Sequence, residues 1–374
     1  MLVKHANVFR EEGIFEVGDI AISGAYFADA SPDNTVLDAS GCYAIPGLID
    51  IHLHGCMGHE FSDANAQQLQ AMARFQAASG VTAICPSTLT LPEAHLAAAC
   101  KRLAAFHDPE GAAFVGIHLE GPFLSPKKVG AQNPAYIHPP DLDMFRRLQQ
   151  ASGGLVKRLA IAPEIEGAME LIAALKDEIS CSIAHTTADY ETAKRAFEMG
   201  AAGLTHLFNA MPPLHHRDPG VIGAALDTPG CRVELICDNV HVHPSAVRAA
   251  IAMFGKDRVI FISDSIMAAG LPDQVCQMGG LEVEIKGNLA CIAGTSTIAG
   301  SISNLMGCLY IAVTETGIPL ETAVTCASIN PAKAIGIYDK HGSIQPGKYA
   351  DLVLLREDLS IRGVILRGKL LGGC

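Results

Sequence analysis

Two histidines one residue apart, His52 and His54, close the run GLIDIHLH (47–54). In an extended strand, side chains two positions apart leave the same face, so both rings can reach one point. Alone, such a pair is a weak sign of a metal site. Further along, Glu120 ends FVGIHLEG (114–121), His185 falls in CSIAHTT (181–187) and His206 in GLTHLFN (203–209). Asp238 and His241 end CRVELICDN (231–239) or follow it, and Asp264 falls in VIFISDS (259–265). Each run is short, apolar and interrupted by imidazole or carboxylate near its C-terminal end. An unpartnered buried polar group costs about 2–7 kcal/mol. Six interrupted runs therefore need a common partner, and a divalent cation is the simplest one. Imidazole and carboxylate donors suit Zn²⁺, Fe²⁺, Mn²⁺ or Co²⁺ and differ from a structural thiolate set.

The elements that must position these groups alternate short apolar runs with helical ones. Besides the runs above, VTAICPST (81–88) and VKRLAIAPE (156–164) read as strands, which makes eight. Amphipathic segments such as ANAQQLQAMARFQAAS, GAMELIAALKDEI and YETAKRAFEM lie between them, with Ser62 and Asp189 as N-caps and Gly80 and Gly200 as stops. This predicts an α/β fold, a (β/α)8 barrel whose active site lies at the C-terminal strand ends. The doubly wound alternative lacks a G-x-G-x-x-G turn after any strand. Residues 1–47 and 341–374 show short alternating patterns, and are expected to join into one small β-sandwich module beside a catalytic barrel over 48–340.

Composition narrows the partners. The chain has 374 residues, 27 Lys+Arg against 39 Asp+Glu, and a formal charge of −12, which excludes a general nucleic-acid or anionic-membrane surface. An anionic ligand must then be met by local positive charge. No apolar stretch reaches 18 residues, and the N-terminus lacks a signal-type apolar core. Twelve cysteines without a CxxC pair read as small core residues in a reducing cytoplasm.

The motifs DIHLHG, HLEGPFLSPKKVGAQNP, AHTTADY, THLFNAMPPLHHRDPG, CDNVHVHP, SDSIMAAG and TIAGSISNL resemble the amidohydrolase superfamily and, inside it, the N-acetylglucosamine-6-phosphate deacetylases. The likeness runs from PGLID near 46–50 to GSIQPGKYADLVLL near the C-terminus. It implies a TIM-type barrel with a β-sandwich from both chain ends. It further implies a metal-dependent hydrolase that cuts a linear amide, releasing acetate from N-acetyl-D-glucosamine 6-phosphate. By the resemblance, Glu120, His185 and His206 are the principal metal ligands. His52 and His54 hold a second ion in some members, so one or two ions are expected, Zn²⁺ first. Asp264 is the catalytic aspartate. Ala131, Gln132, Asn209, Ala210, Arg217, His241, Ile298, Ala299 and Gly300 match positions that contact the sugar phosphate. Some members carry His where this chain has Gln132.

In this reading Asp264 moves the proton from water to the leaving amine. Arg217, in the loop MPPLHHRDPG, is the phosphate group's partner and could reach a neighbouring subunit in a homodimer or homotetramer. Lys127 and Lys128 are candidates for steering the phosphate. His215, His216 and His243 are candidates for secondary polar contacts, and Cys56 for the pocket wall. Competing readings are an N-acetylgalactosamine-6-phosphate deacetylase, a cyclic-amide hydrolase, which would show a bridging Lys at a strand end, a deaminase, and an inactive scaffold, which would have lost ligands.

Overall fold

The computed structural model describes residues 1–31 and 35–371; Cys374 lies outside the described residues. Eight parallel strands pair in chain order: Leu48–Leu53, Val81–Thr88, Ile117–Glu120, Val156–Ile161, Ser180–Ile183, Gly203–Leu204, Arg232–Ile236 and Val259–Ile262. The last returns to the first. The Asp264 N–H donates to His52 O at 3.0 Å and the His54 N–H to Ser265 O at 2.7 Å. Beside them, the Ser263 hydroxyl donates to the buried Asp50 carboxylate at 2.5 Å, and Asp50 also accepts the His52 N–H at 3.2 Å. Helices Ala66–Ala78, Glu93–Ala105, Leu142–Ala151, Ala168–Leu175, Tyr190–Met199, Gly220–Leu226, Pro244–Phe254 and Leu305–Thr314 follow the successive strands. The expected (β/α)8 barrel is what forms.

Local details depart from the sequence reading. The first helix is capped by Asn65, not Ser62: Asn65 accepts the Gln68 N–H, and the Gln68 side chain accepts the Asn65 N–H in return. Ser62 instead accepts the Leu89 N–H at 3.0 Å. The third run is split, with Ala113–Phe114 pairing the second strand before Ile117–Glu120 resumes. The fifth and sixth strands stop at Ile183 and Leu204, so His185 and His206 stand on the turns that follow.

Strands from both chain ends form a second sheet, with Tyr43–Pro46 antiparallel to Leu352–Leu355 at its middle. Val3, Val8, Ile22, Phe27, Leu352 and Ile365 pack its core. Gly47 hands the chain from this sheet to the barrel. A Cβ there would lie 2.1 Å from Thr82 Oγ1, so the Thr82 side chain packs against this backbone only because the residue is glycine. A three-stranded antiparallel sheet, Val275–Met278, Leu281–Lys286 and Leu289–Ile292, follows the eighth barrel strand and was not anticipated. Its sequence signal is the alternation LEVEIK between the turns at Gly279–Gly280 and Gly287–Asn288. Among the described residues, eleven cysteines are free and nine of these are buried, as small core side chains are. No helix among them is long and apolar enough to cross a membrane.

Closure through Asp50 is testable. Asp50→Ala leaves the Ser263 hydroxyl and the His52 N–H without their buried acceptor, at about 1–3 kcal/mol each. The thermal midpoint of the metal-free protein should fall by several degrees, and by less for Ser263→Ala. An unchanged midpoint for Asp50→Ala would show that the barrel closes without this clamp.

Candidate active site

The six groups singled out from the sequence meet at the barrel mouth around one carboxylate. Glu120 Oε1 lies 3.3 Å from His52 Nε2, 3.4 Å from His185 Nε2 and 3.2 Å from His206 Nε2. Its other oxygen lies 3.0 Å from His54 Nε2. Asp264 Oδ1 is 3.4 Å from both His52 Nε2 and His54 Nε2. Two overlapping donor groups result, His52–His54–Glu120 and Glu120–His185–His206, and all five side chains are buried. His185 Nε2 and His206 Nε2 face each other at 3.1 Å. His52 Nε2 is buried without a hydrogen-bond partner. Converging lone pairs of this kind fit a divalent cation, with nitrogen and oxygen donors and no thiolate.

The turns after the strands aim these groups. His185, His206 and Asp264 have φ of 41°, 33° and 48°, a left-handed backbone uncommon for residues with a Cβ. Each such residue costs on the order of 1–3 kcal/mol and persists only where its surroundings fix it. They do so here through backbone bonds, Ser125 N–H to His185 O at 3.0 Å, Leu207 N–H to Glu234 O at 2.8 Å and Ser301 N–H to Asp264 O at 2.9 Å. His185 Nδ1–H donates to Lys128 O at 2.8 Å, which leaves Nε2 as the inward donor. A Cβ on Gly130 would come within 3.1 Å of that ring, and its φ of +58° sets the loop's curve.

Electrostatics follow from the crowding. Burial alone would push Glu120 up, but His52, His185 and His206 hold it well below the usual carboxylate range. Asp264, which burial would also raise, is held down by His52 and His54. Burial would lower His54, yet the Asp264 and Glu120 carboxylates carry it up to about 9. The cluster draws positive charge inward.

A cleft of about 540 Å³ opens over the cluster. It is lined by the predicted Ala131, Gln132, Asn209, Ala210 and His241, and by Ile298, Ala299 and Gly300 from the loop after the three-stranded sheet. The Gln132 amide is oriented by the Thr90 N–H, which it accepts at 2.7 Å, and it donates to Glu120 Oε2 at 2.5 Å. His241 Nδ1–H donates to Asp238 at 2.7 Å. Lys127 and Lys128 sit on the rim. Arg217 is exposed on its loop with His215 and His216 and does not line this cleft. His243 accepts the Ser245 N–H at 3.2 Å as a helix cap, and Cys56 is buried away from the cleft, its thiol pushed up to about 12 by burial. Sequence reasoning missed Leu89, Met278, Ser296 and Thr297 in the lining. It also missed Glu234, a buried carboxylate touching His52, whose signal was its place inside the apolar strand RVELI.

Residues 43–371 match the model of the amidohydrolase family. The chain is 36% identical to the N-acetylglucosamine-6-phosphate deacetylase of Bacillus subtilis (strain 168), over 99% of this chain and 96% of that one. It is 32% identical to the N-acetylgalactosamine-6-phosphate deacetylase of Escherichia coli O157:H7, over 99% and 98%. A mutant N-acetyl-D-glucosamine-6-phosphate deacetylase from Mycobacterium smegmatis, solved in complex with N-acetyl-D-glucosamine-6-phosphate, superposes with a TM-score of 0.92 at 32% identity, covering 99% of this chain and 98% of that one. The chain belongs to the amidohydrolase family and, within it, to the group of N-acetylhexosamine-6-phosphate deacetylases.

Proposed function

We propose that this amidohydrolase cleaves the acetamide of N-acetyl-D-glucosamine 6-phosphate, giving acetate and D-glucosamine 6-phosphate. The observation that carries the reading is the Glu120-centred donor cluster beside Asp264, at the floor of a cleft rimmed by Lys127 and Lys128. The bound sugar phosphate in the M. smegmatis relative supports the substrate. The two overlapping donor groups, His52–His54–Glu120 and Glu120–His185–His206, would hold two ions, with Zn²⁺ first and Fe, Mn or Co compatible. Such an ion supplies Lewis acidity and lowers the pKa of water from 15.7 towards about 7. Asp264, held ionised, takes the proton of the attacking water as its oxygen bonds to the acyl carbon. It then gives that proton to the nitrogen as the C–N bond breaks. The free cysteines support a cytoplasmic location.

His241 presents Nε2 to the cleft because Asp238 holds Nδ1. For the phosphate, the cleft's own cations are Lys127 and Lys128, and the exposed Arg217 loop supports a homodimer in which Arg217 of the partner subunit enters the site.

Protein loaded with metal should release acetate from the phosphorylated gluco sugar and lose that activity to a chelator. Asp264→Asn should lower kcat by about 10²–10⁴-fold with little change in KM. Equal turnover of the galacto epimer would favour the second activity, for which the E. coli relative is named. No acetate from either sugar would refute the reading.

Arg217→Ala should raise KM for the phosphorylated sugar about 10–100-fold, the worth of a charge-assisted contact. Mixing it with Asp264→Asn before reassembly should restore low-KM turnover, because a mixed dimer has one complete site. No recovery on mixing would count against a shared site.

Burial would lower the His241 imidazole, but the Asp238 carboxylate raises it above its ordinary value. His241 is a charged donor below this raised pKa and loses its charge as pH rises through it. KM should therefore climb on the alkaline side, and Asp238→Asn should move that climb to lower pH. A KM profile that Asp238→Asn does not move would remove His241 from substrate binding.

A further inference from the structure

We propose that Glu234, anchored by Arg158, is a positioning residue that fixes the His52 ring and so sets how tightly the His52–His54–Glu120 group holds its ion. The proposal rests on the two-ion reading above. Glu234 Oε2 accepts a hydrogen bond from His52 Nδ1–H at 2.9 Å. Its other oxygen accepts from Arg158 Nη2. All three side chains are buried, with Glu234 1% and Arg158 3% exposed. A carboxylate only accepts, so His52 must carry its hydrogen on Nδ1. In the neutral ring the lone pair is then on Nε2, directed toward Glu120 and Asp264, where it has no other partner. Burial would protonate Glu234, but Arg158 and His52 keep it ionised.

The ring is held from a second side. His118 packs edge-on against it at 4.5 Å and is itself bonded to Ser87 at 2.9 Å. Ser87 Oγ also accepts the N–H of Leu53, the residue after His52, at 3.2 Å. Glu234 Oε2 lies 3.3 Å from the His206 N–H as well. His206 does not depend on that bond, because its neighbours are tied by Thr205 N–H to Ile183 O at 3.0 Å and Leu207 N–H to Glu234 O at 2.8 Å. Loss of the Glu234 carboxylate therefore falls mainly on His52.

The test is stepwise Zn²⁺ binding to the metal-free full-length protein by calorimetry, with metal content measured after gel filtration. Glu234→Gln keeps the shape and a neutral acceptor. The double variant Glu234→Leu/Arg158→Met removes the pair without leaving a lone buried charge. Wild type should bind two ions. Both variants should bind the second ion about 10–100-fold more weakly while keeping the first near its wild-type affinity. If the double variant does not fold, Glu234→Gln carries the test. Wild-type affinity for the second ion in any folded variant, whatever its melting temperature, overturns the proposal alone. A wild type that holds a single ion overturns the proposal and the two-ion reading together.

Discussion

Everything at the barrel mouth depends on one buried carboxylate. Glu120 lies 3.0–3.4 Å from the Nε2 atoms of four histidines, which arrive from the first strand and from the turns after the fifth and sixth. No single helix or hairpin can bring four imidazoles around one acceptor from separate directions. A closed parallel barrel can, because every strand delivers its C-terminal end to the same rim. The constraint also runs the other way. Closure between the eighth and first strands is made by Asp264 N–H to His52 O and by Ser263 to Asp50, so the residues that seal the barrel flank the site or belong to it. Closing the barrel and placing the site therefore draw on the same residues.

The strained turns show where stability has been given up for geometry. A β-strand that simply continued past Ile183 or Leu204 would alternate its side chains and carry its backbone away from the axis. Left-handed residues at His185, His206 and Asp264 end the strands and tip the side chains over the opening instead. Glycine would adopt that backbone more easily but brings no ligand atom. The chain therefore accepts strained non-glycine turns and locks each one with main-chain bonds from a neighbouring segment.

The barrel and the donor set were legible in the sequence because both leave local marks. Strands are apolar runs, and polar residues at their ends are conspicuous against them. VTAICPST coincides residue for residue with the second strand. Asp189 caps its helix as expected, because a cap is read from the residues beside it. What was not legible is what depends on distant partners or on backbone angle. Nothing local distinguishes Asn65 from Ser62 until Leu89 is seen to take the Ser62 hydroxyl. The positive φ values at His185 and His206 belong to residue types that rarely adopt them. Arg217 reads as a phosphate ligand from its loop, yet the fold puts that loop outside its own cleft. The site residues carried by resemblance and those carried by geometry meet at Gln132. Its amide is already committed to Glu120 and oriented by Thr90, a link that no motif displays.

Glu234 was missed for a further physical reason. Sequence reading treats a barrel strand as an apolar run whose function begins at its end, whereas here polarity continues inward from the rim. Arg158, Glu234, His52 and Glu120 touch in series, and Gln132 and Thr90 extend the series from Glu120 back to main chain. In a low-dielectric interior such a chain is favourable only when each member is satisfied, since one vacancy leaves its neighbour buried and unpaired. The two ends behave differently. At Arg158 the series ends on a fixed charge of the protein itself. At the rim it ends on His52 Nε2, a buried atom without a protein partner. That rim atom faces the cleft side of the series, where a cation could be accepted. The interior carboxylates Glu234 and Glu120 therefore give the His52 ring fixed contacts on both of its nitrogens' sides.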